Sequence, residues 1–493
     1  MQALLGIDLG TSSVKVAVFE AEELQVLGSA SAEYPVLHPR PDTAEQDPAD
    51  WWQAVVCAVR AALAIVPEAD VRGIGLAGQM HGVVCVDVQG NPVAPAIIWA
   101  DARAADLLGE LVALQARSSA TLPGPPAAGF AAATFLWLAR HAPEVLWRMH
   151  RWMLPKDYIR FRLTGQVSTD PGDVSATWLY DITRQAWADD VRAYCGLAPS
   201  QMPEVLPSES VAGLLTPDAA AALGLPVGVP VVSGTADLAA GALGHGIVTP
   251  GHVLVIVGSG GQVFVPVAEP QPDPDGRYYV FQHGVAGRWY AQAAMLSAGL
   301  ALRWLRDVLG LQDVPDAYAR LSALAGEVAP GAEGLIFLPY LAGERTPHMD
   351  PDASGVFFGL RLHHGAGHLA RAIMEGVAYG LKDCLALVAP PKAPVVLSGG
   401  VTRSAVWSQI LSDVWGRPLR LADPAAPHGC RGAALLAGLG TGAYSDLPDA
   451  LRRIPSPDRE VQPVRRAVYE DGYDRFRRLY ALLAGEMHGI AGH

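Results

Sequence analysis

Two apolar runs, Leu4-Leu5-Gly6-Ile7-Asp8-Leu9 and Val14-Lys15-Val16-Ala17-Val18-Phe19, flank the polar turn Gly10-Thr11-Ser12-Ser13. Their length predicts strand, tight turn, strand, with Asp8 at the end of the first strand. Gln25 to Tyr34 predicts a third strand. Asp47-Pro48 then marks a helix start, Asp47 as N-cap and Pro48 in the first helical position. Behind it Trp52, Val55, Val56, Val59 and Leu63 recur at helical spacing. A buried strand over 71–76 runs into Ala77-Gly78-Gln79-Met80-His81-Gly82, and a strand resumes at Val83 to Asp87. A hairpin turn at Gln89-Gly90-Asn91 leads to Ile97 through Arg103. Residues from about 105 to 225 read as mainly helical, broken by the Pro/Gly/Ala-rich stretch Leu122 to Gly129. Val227 to Ser233 predicts another strand, ending in Gly234-Thr235-Ala236-Asp237.

At Gly251 the opening pattern begins again. His252 to Val257 is an apolar strand, Gly258-Ser259-Gly260-Gly261 a turn, and Gln262 to Val267 a strand. A helix over Ala294 to Leu309 follows. A strand at Val395 to Ser398 then runs into Gly399-Gly400 and a helix from Ser404 to Trp415. A strand at Leu419 to Ala422 and a helix from about Arg431 to Leu439 complete the half. The repetition predicts an α/β protein of two domains of related plan, 1–247 and 248–493, with a ligand cleft between them.

Composition narrows the partners. Net charge is −13, which argues against an extended nucleic-acid surface. No apolar run approaches a membrane span and no signal peptide is visible, so a cytoplasmic protein is expected. The five cysteines, Cys57, Cys85, Cys195, Cys384 and Cys430, are scattered and form no CxxC, which predicts reduced thiols and no zinc site. None of Lys15, Lys156, Lys382 and Lys392 is followed by Ser or Thr, so a Walker A loop is excluded.

Three features fall at strand ends, where α/β proteins place ligands: Asp8, the Gln79–Gly82 loop and Asp237. The turns at Gly10–Ser13 and Gly258–Gly261 can offer backbone N–H groups to phosphates. Phosphoryl transfer needs donors for the phosphates, a metal to neutralise charge and a base for the attacking hydroxyl. Asp8 and Asp237 fit the metal and base roles, facing one crevice from opposite sides of the phosphate. The ordinary alternatives are turn chemistry for Asp8, a helix cap for Asp237 and a satisfied core histidine for His81. His363, His364 and His368 have no carboxylate at ligand spacing and read as surface residues.

Taken together, the motifs resemble the FGGY carbohydrate kinases of the actin/sugar-kinase/heat-shock ATPase superfamily. The resemblance covers nearly the whole chain in order. Gly6-Ile7-Asp8-Leu9-Gly10-Thr11-Ser12 is similar to the family's first phosphate loop, and Glu45-Gln46-Asp47-Pro48 with Trp51-Trp52 to the stretch after its third strand. Gln79-Met80-His81-Gly82 resembles the branch that phosphorylates xylulose. Leu154-Pro155-Lys156-Asp157-Tyr158, Gly343-Glu344-Arg345-Thr346-Pro347-His348 and Gly355-Val356-Phe357-Phe358-Gly359-Leu360 follow the family pattern. Ser398-Gly399-Gly400 resembles its adenosine loop.

The resemblance implies two ribonuclease-H-like (actin-like ATPase) domains and ATP-dependent phosphorylation of D-xylulose at its 5-hydroxyl. Asp237 would take the proton, and Asp8 would stand at a Mg2+ ion and the γ-phosphate. Met80, His81 and Asp237 would hold the sugar in the first domain. Thr11, Ser12, Gly258, Ser259, Gly399, Gly400 and Ser404 would face the nucleotide. The expected partners are a small sugar and MgATP, with a homodimer left open, and neither nucleic acid nor a membrane. The chain departs from the family at Leu238 (usually Asn), Ser259-Gly260 (usually Thr-Ser), Thr134 (usually Lys) and His428-Gly429-Cys430-Arg431-Gly432 at the adenosine end (usually acidic-Gly-Ala). A kinase for another ketose or a polyol, and a non-sugar actin-like ATPase, are the alternatives.

Overall fold

In the computed structural model, which describes residues 1–457 and 459–491, the two apolar hairpins seed two seven-stranded sheets. In the first sheet Gln2–Leu9 pairs antiparallel with Ser13–Glu20, and that strand with Val26–Glu33. On its other side Gln2–Leu9 runs parallel to Asp70–Gly78, which runs parallel to Pro230–Val232. Val211–Leu214 closes that edge antiparallel. The second sheet repeats this pairing order with Val253–Val257 at its centre. Gly261–Val267 and then Trp289–Met295 are antiparallel on one side. Val395–Ser398 and Leu419–Leu421 are parallel on the other, and Arg459–Val461 ends the sheet antiparallel. Tyr279–Gln282 adds one further edge strand. The two-domain α/β reading holds, and the resemblance between halves extends from the hairpin to six strands.

The helix Pro48–Ile65 begins as its signals require: Asp47 accepts the Ala49 N–H at 2.8 Å and Pro48 opens the first turn. Trp51, Val55, Val59 and Ala62 face the first sheet and are buried. Ser404 likewise caps Ala405–Trp415 by accepting the Trp407 N–H at 3.0 Å. All five cysteines are free thiols. Among the described residues, no helix is long and apolar enough to cross a membrane.

Three expectations change. Ala294 and Met295 end a strand, and the helix expected from Ala294 begins at Gly299, because its register pairs Met295 with Gly261. The region 105–225 contains helices, but also short strands that pair at long range, such as Arg151–Met153 with Val84–Val86. That pairing takes the Val83–Asp87 segment out of the main sheet. The helix expected from Arg431 begins at His428, so its glycine-rich run is the first helical turn.

That helix, His428–Gly440, belongs by sequence to the second half but lies on the first sheet. Cys430, Ala434 and Leu436 pack with Leu4, Phe19 and Val232, and Ala433 meets Ala77 and Ala240. The approach is backbone to backbone. A Cβ on Gly75 would fall 1.8 Å from the Ala433 carbonyl oxygen, and one on Gly6 would fall 2.0 Å from that of Cys430. Glycine inside a strand is ordinarily unfavourable. Here it lets a helix of one half dock on the sheet of the other.

Candidate active site

Parallel register brings the acidic residues together. Asp8 and Leu9 lie beside Ala77 and Gly78, and Thr235 and Ala236 lie on the far side of that same pair. Asp237 follows directly as the first residue of the helix Asp237–Gly244. Strands sit about 4.8 Å apart, so the two acids occupy one sheet edge with backbones roughly 10 Å apart. They therefore reach the cleft side by side from the first half, and not from opposing sides as the sequence suggested.

The Asp237 carboxylate accepts its neighbour Leu238 N–H at 2.7 Å through Oδ1. It bonds the first turn from the first helical position, Ala236 and not Asp237 being the N-cap, and leaves Oδ2 for another partner. Burial, and secondarily the charge of Asp8, pushes its pKa up to about 7. Asp8 is raised to about 6 by burial, which outweighs the Lys15 ammonium across the hairpin. Its Oδ1 is buried with no hydrogen-bond partner among the described residues. Gly429, in the first turn of His428–Gly440, lies against this carboxylate; a Cβ there would come within 2.2 Å of Oδ2. The run expected at the adenosine end thus abuts Asp8 instead, because the helix crosses to the first sheet. An orphaned, buried carboxylate oxygen beside a second acid suits a hard divalent cation.

Asp237 lines a cavity of about 400 Å3 together with Thr11, Met80, His81, Trp99 and Phe130. His81 takes a left-handed backbone (φ 71°), and its Nδ1 lies 2.7 Å from the Ala176 carbonyl oxygen. Nδ1 therefore donates and Nε2 is an acceptor in the neutral ring. Burial lowers the His81 pKa to about 4, so the ring is neutral at ordinary pH, and it stacks on Phe130 at 4.3 Å. The second half supplies Ile256, Gln262, Tyr279, Phe281, Gln292 and Arg345 to the same cavity. The cavity at Met80, His81 and Asp237 of the first domain is thus walled by the second half as well. The strand carrying Tyr279 and Phe281 gave little signal because it is only 4 residues long, and Gln292 interrupts the apolar run of Trp289–Met295.

A second cavity of about 840 Å3 is lined by Val257, Gly258, Ser259, Arg303, Gly400, Ser404 and Trp407, among others. The hairpin of the second half is the wall between the cavities. Ile256 and its cross-strand partner Gln262 face the smaller one, while Val257 to Ser259 face the larger. Ser259 Oγ accepts from Arg303 Nη2 at 3.2 Å, so a guanidinium stands at the turn that lacks the family's second hydroxyl. Gly399 (φ 94°) does not line the cavity; it lies against the Val257 carbonyl oxygen and turns the chain so that Gly400 does. Thr11 lines the smaller cavity, its Oγ1 accepting from Trp99 Nε1 at 2.8 Å and its carbonyl from Gln46 Nε2 at 2.7 Å. Ser12 is exposed and lines neither cavity. Gln46 also accepts from Trp51 Nε1 and Gln79 Nε2, tying three distant motifs to one turn. The histidine cluster does find a carboxylate, supplied by Glu333 from a separate turn, at 3.2 Å from His363 and 3.6 Å from His368.

Sequence reading missed the support beneath Asp237. Lys156 and Arg160 are wholly buried with Asp157, Asp170 and Asp173. Lys156 Nζ lies 2.5 Å from Asp157, 3.0 Å from Asp170 and 3.7 Å from Asp173. The Ser233 carbonyl, four residues before Asp237, accepts from Arg160 at 2.7 Å and from Lys156 at 3.3 Å. Burial alone would lower the Lys156 pKa, but Asp157 and Asp170 raise it on balance. Lys156→Met leaves Asp170 and Asp173 uncompensated, Asp157 keeping Arg160 at 2.8 Å, and should cost about 3–5 kcal/mol, read as a lowered urea midpoint.

The chain matches the family model for the N-terminal domain of FGGY carbohydrate kinases over residues 3–244, and that for the C-terminal domain over 253–441. It is 37% identical to a xylulose kinase of Escherichia coli over 97% of this chain and 99% of that protein. It is 31% identical to one of Bacillus subtilis over 97% of each. A crystal structure of a xylulose kinase from Rhodospirillum rubrum superimposes with a TM-score of 0.89 at 33% identity, covering 99% of this chain and 100% of that one. With both halves matched in order, and two acids on one sheet edge beside paired cavities, the chain belongs to the FGGY family of carbohydrate kinases.

Proposed function

We propose that this carbohydrate kinase transfers the γ-phosphoryl group of ATP to the terminal 5-hydroxyl of D-xylulose. The observation that carries the reading is the joint cavity in which Asp237 stands with Met80, His81 and an apolar wall of Trp99, Phe130 and Leu238. The named relatives that act on xylulose support it. In this reading the sugar occupies the 400 Å3 cavity and the nucleotide the 840 Å3 one, with Gly258, Ser259, Gly400 and Ser404 against it. Gly399 shapes that wall, and Thr11 and Ser12 offer their turn to the phosphates from the first half. The domains divide at 247/248, where the first sheet's last helix gives way to the second hairpin.

Asp237 accepts the hydroxyl proton as the sugar oxygen bonds to phosphorus and the bond to the bridging oxygen of ADP breaks. Asp8 would hold a magnesium ion, which when bound neutralises phosphate charge. His81 Nε2 accepts from a sugar hydroxyl. Closure of the halves excludes water, the competing acceptor. A base works only when ionised, so kcat/KM should rise with pH through about 7 and level above it. A pH–rate profile flat from 5 to 9 would contradict the assignment.

Leu238 favours a second reading, a different ketose or a polyol, because it removes a polar contact from the cavity wall. ADP release measured with xylulose, ribulose and glycerol separates the two: the first reading requires the highest kcat/KM with xylulose.

A further inference from the structure

Arg345 is the one cation in the wall of the smaller cavity. Its backbone N–H is held by Glu344 at 2.7 Å. Among the described residues, its guanidinium makes no hydrogen bond and has no carboxylate within ion-pair distance. The nearby Glu344 is instead turned to backbone N–H groups, those of Arg345 and Leu296, at 2.7 and 3.0 Å. With its nitrogens open to the cavity and not spent on a protein partner, the guanidinium keeps its N–H donors for whatever occupies that space.

Its position along the cavity is also readable. Thr346, next to Arg345, donates to the Arg277 carbonyl at 2.8 Å and accepts the Ala294 N–H at 3.1 Å, at the Tyr279 end of the strand Tyr279–Gln282, whereas Thr235, two residues before Asp237, packs against Gly284 beyond that strand's other end. Arg345 therefore stands toward the Tyr279 end and Asp237 at the other. The cavity has an axis, with a proton acceptor where the reacting hydroxyl sits and an acceptor-seeking cation at the far end.

Resting on the sugar reading above, we infer that Arg345 is the specificity-determining residue that binds the carbonyl end of the substrate, the C1–C2 end remote from the phosphorylated hydroxyl. The chemistry follows from what a guanidinium offers. It has only donors, so it matches a group that only accepts: a ketone oxygen or a carboxylate. A polyol presents a hydroxyl there, which accepts from the guanidinium only with its own proton turned away, toward the apolar rings of Phe130 and Phe281, which offer it no acceptor. Arg345 thus selects open-chain ketoses over the corresponding alditols. It also makes an open-chain sugar acid of the same length a ligand of the same cavity, its carboxylate on the guanidinium. The amides of Gln262 and Gln292 can serve the intervening hydroxyls.

The test compares wild type, R345Q and R345K with D-xylulose, with xylitol (its C2-reduced form) and with D-xylonate as inhibitor. Wild type should favour xylulose over xylitol by about 100-fold or more in kcat/KM, with xylonate competitive against xylulose. R345Q should shrink that preference at least about 10-fold, chiefly through the KM for xylulose, and weaken xylonate inhibition about 100-fold. R345K, which keeps charge but loses the planar fork, should fall between. Equal losses of xylulose and xylitol turnover in R345Q, or xylonate inhibition that does not move, would overturn the inference while leaving the sugar reading intact. A wild-type enzyme inert toward xylulose would remove both.

Discussion

Asp237→Asn is expected to lower kcat by about 10²–10⁴-fold while leaving nucleotide affinity nearly unchanged. The amide keeps the shape and the contact to the Leu238 N–H, but cannot take a proton. Steady-state kinetics with saturating xylulose, together with nucleotide titration, checks this. The same variant carries a second expectation of opposite sign. The folded-state pKa of Asp237 is raised to about 7 from an ordinary 3.8. Its favourable contribution is therefore complete below about pH 4 and is lost as pH rises through 7. At pH 8 the wild type bears the whole cost of a desolvated carboxylate beside Asp8. Asp237→Asn should then be more stable than wild type by about 1–2 kcal/mol, discounted for the partial exposure of the group, with the gain shrinking as pH falls toward 4. A residue that merely capped its helix would show the reverse: loss of stability and near-normal turnover.

The second large effect is expected far from the chemistry. Gly75→Ala places a methyl group 1.8 Å from the Ala433 carbonyl oxygen, against the backbone of the helix His428–Gly440. Neither partner is a flexible side chain, so the helix must lift from the sheet. The cost should reach about 3 kcal/mol or more, seen as a lowered denaturation midpoint. Because Gly429 of that helix rests against Asp8, the displaced helix should also lower kcat. Val71→Ala, on the same strand but in the apolar cluster beneath the helix Pro48–Ile65, provides the contrast: stability lost with little effect on the site. Equal retention of kcat in both variants would argue that the crossing helix does not support Asp8.

Much of the site was legible because its parts are local. A strand ending in Asp8, a turn of small residues, and Asp237 after a buried strand each carry their signal within a few residues. Asp47 with Pro48 wrote the helix start in two positions, and the repeated hairpin announced the second half. What periodicity could not carry was anything set by contact between distant segments. Asp8 and Asp237 are adjacent because Ala77 and Gly78 pair with both their strands, a register fixed only in the assembled sheet. Gly75 carries no signal of its own within the strand 71–76; its role comes from the helix from residue 428 seated on it. Lys156 stood in a stretch that follows the family pattern, but only the structure buries it wholly among three carboxylates beneath the segment that leads to Asp237.

The chain alone determined the α/β character of both halves, the residues at the ends of its strands and the chemistry they could perform, because these follow from backbone propensity, turn geometry and side-chain type at short range. The tertiary structure decided which half each wall of the smaller cavity comes from. It also decided that the crossing helix meets Asp8, and that Arg345, without an ion-pair partner among the described residues, stands at the far end of the cavity from Asp237. Those facts depend on desolvation and on the closest approach of segments hundreds of residues apart, quantities that exist only once the two halves have packed.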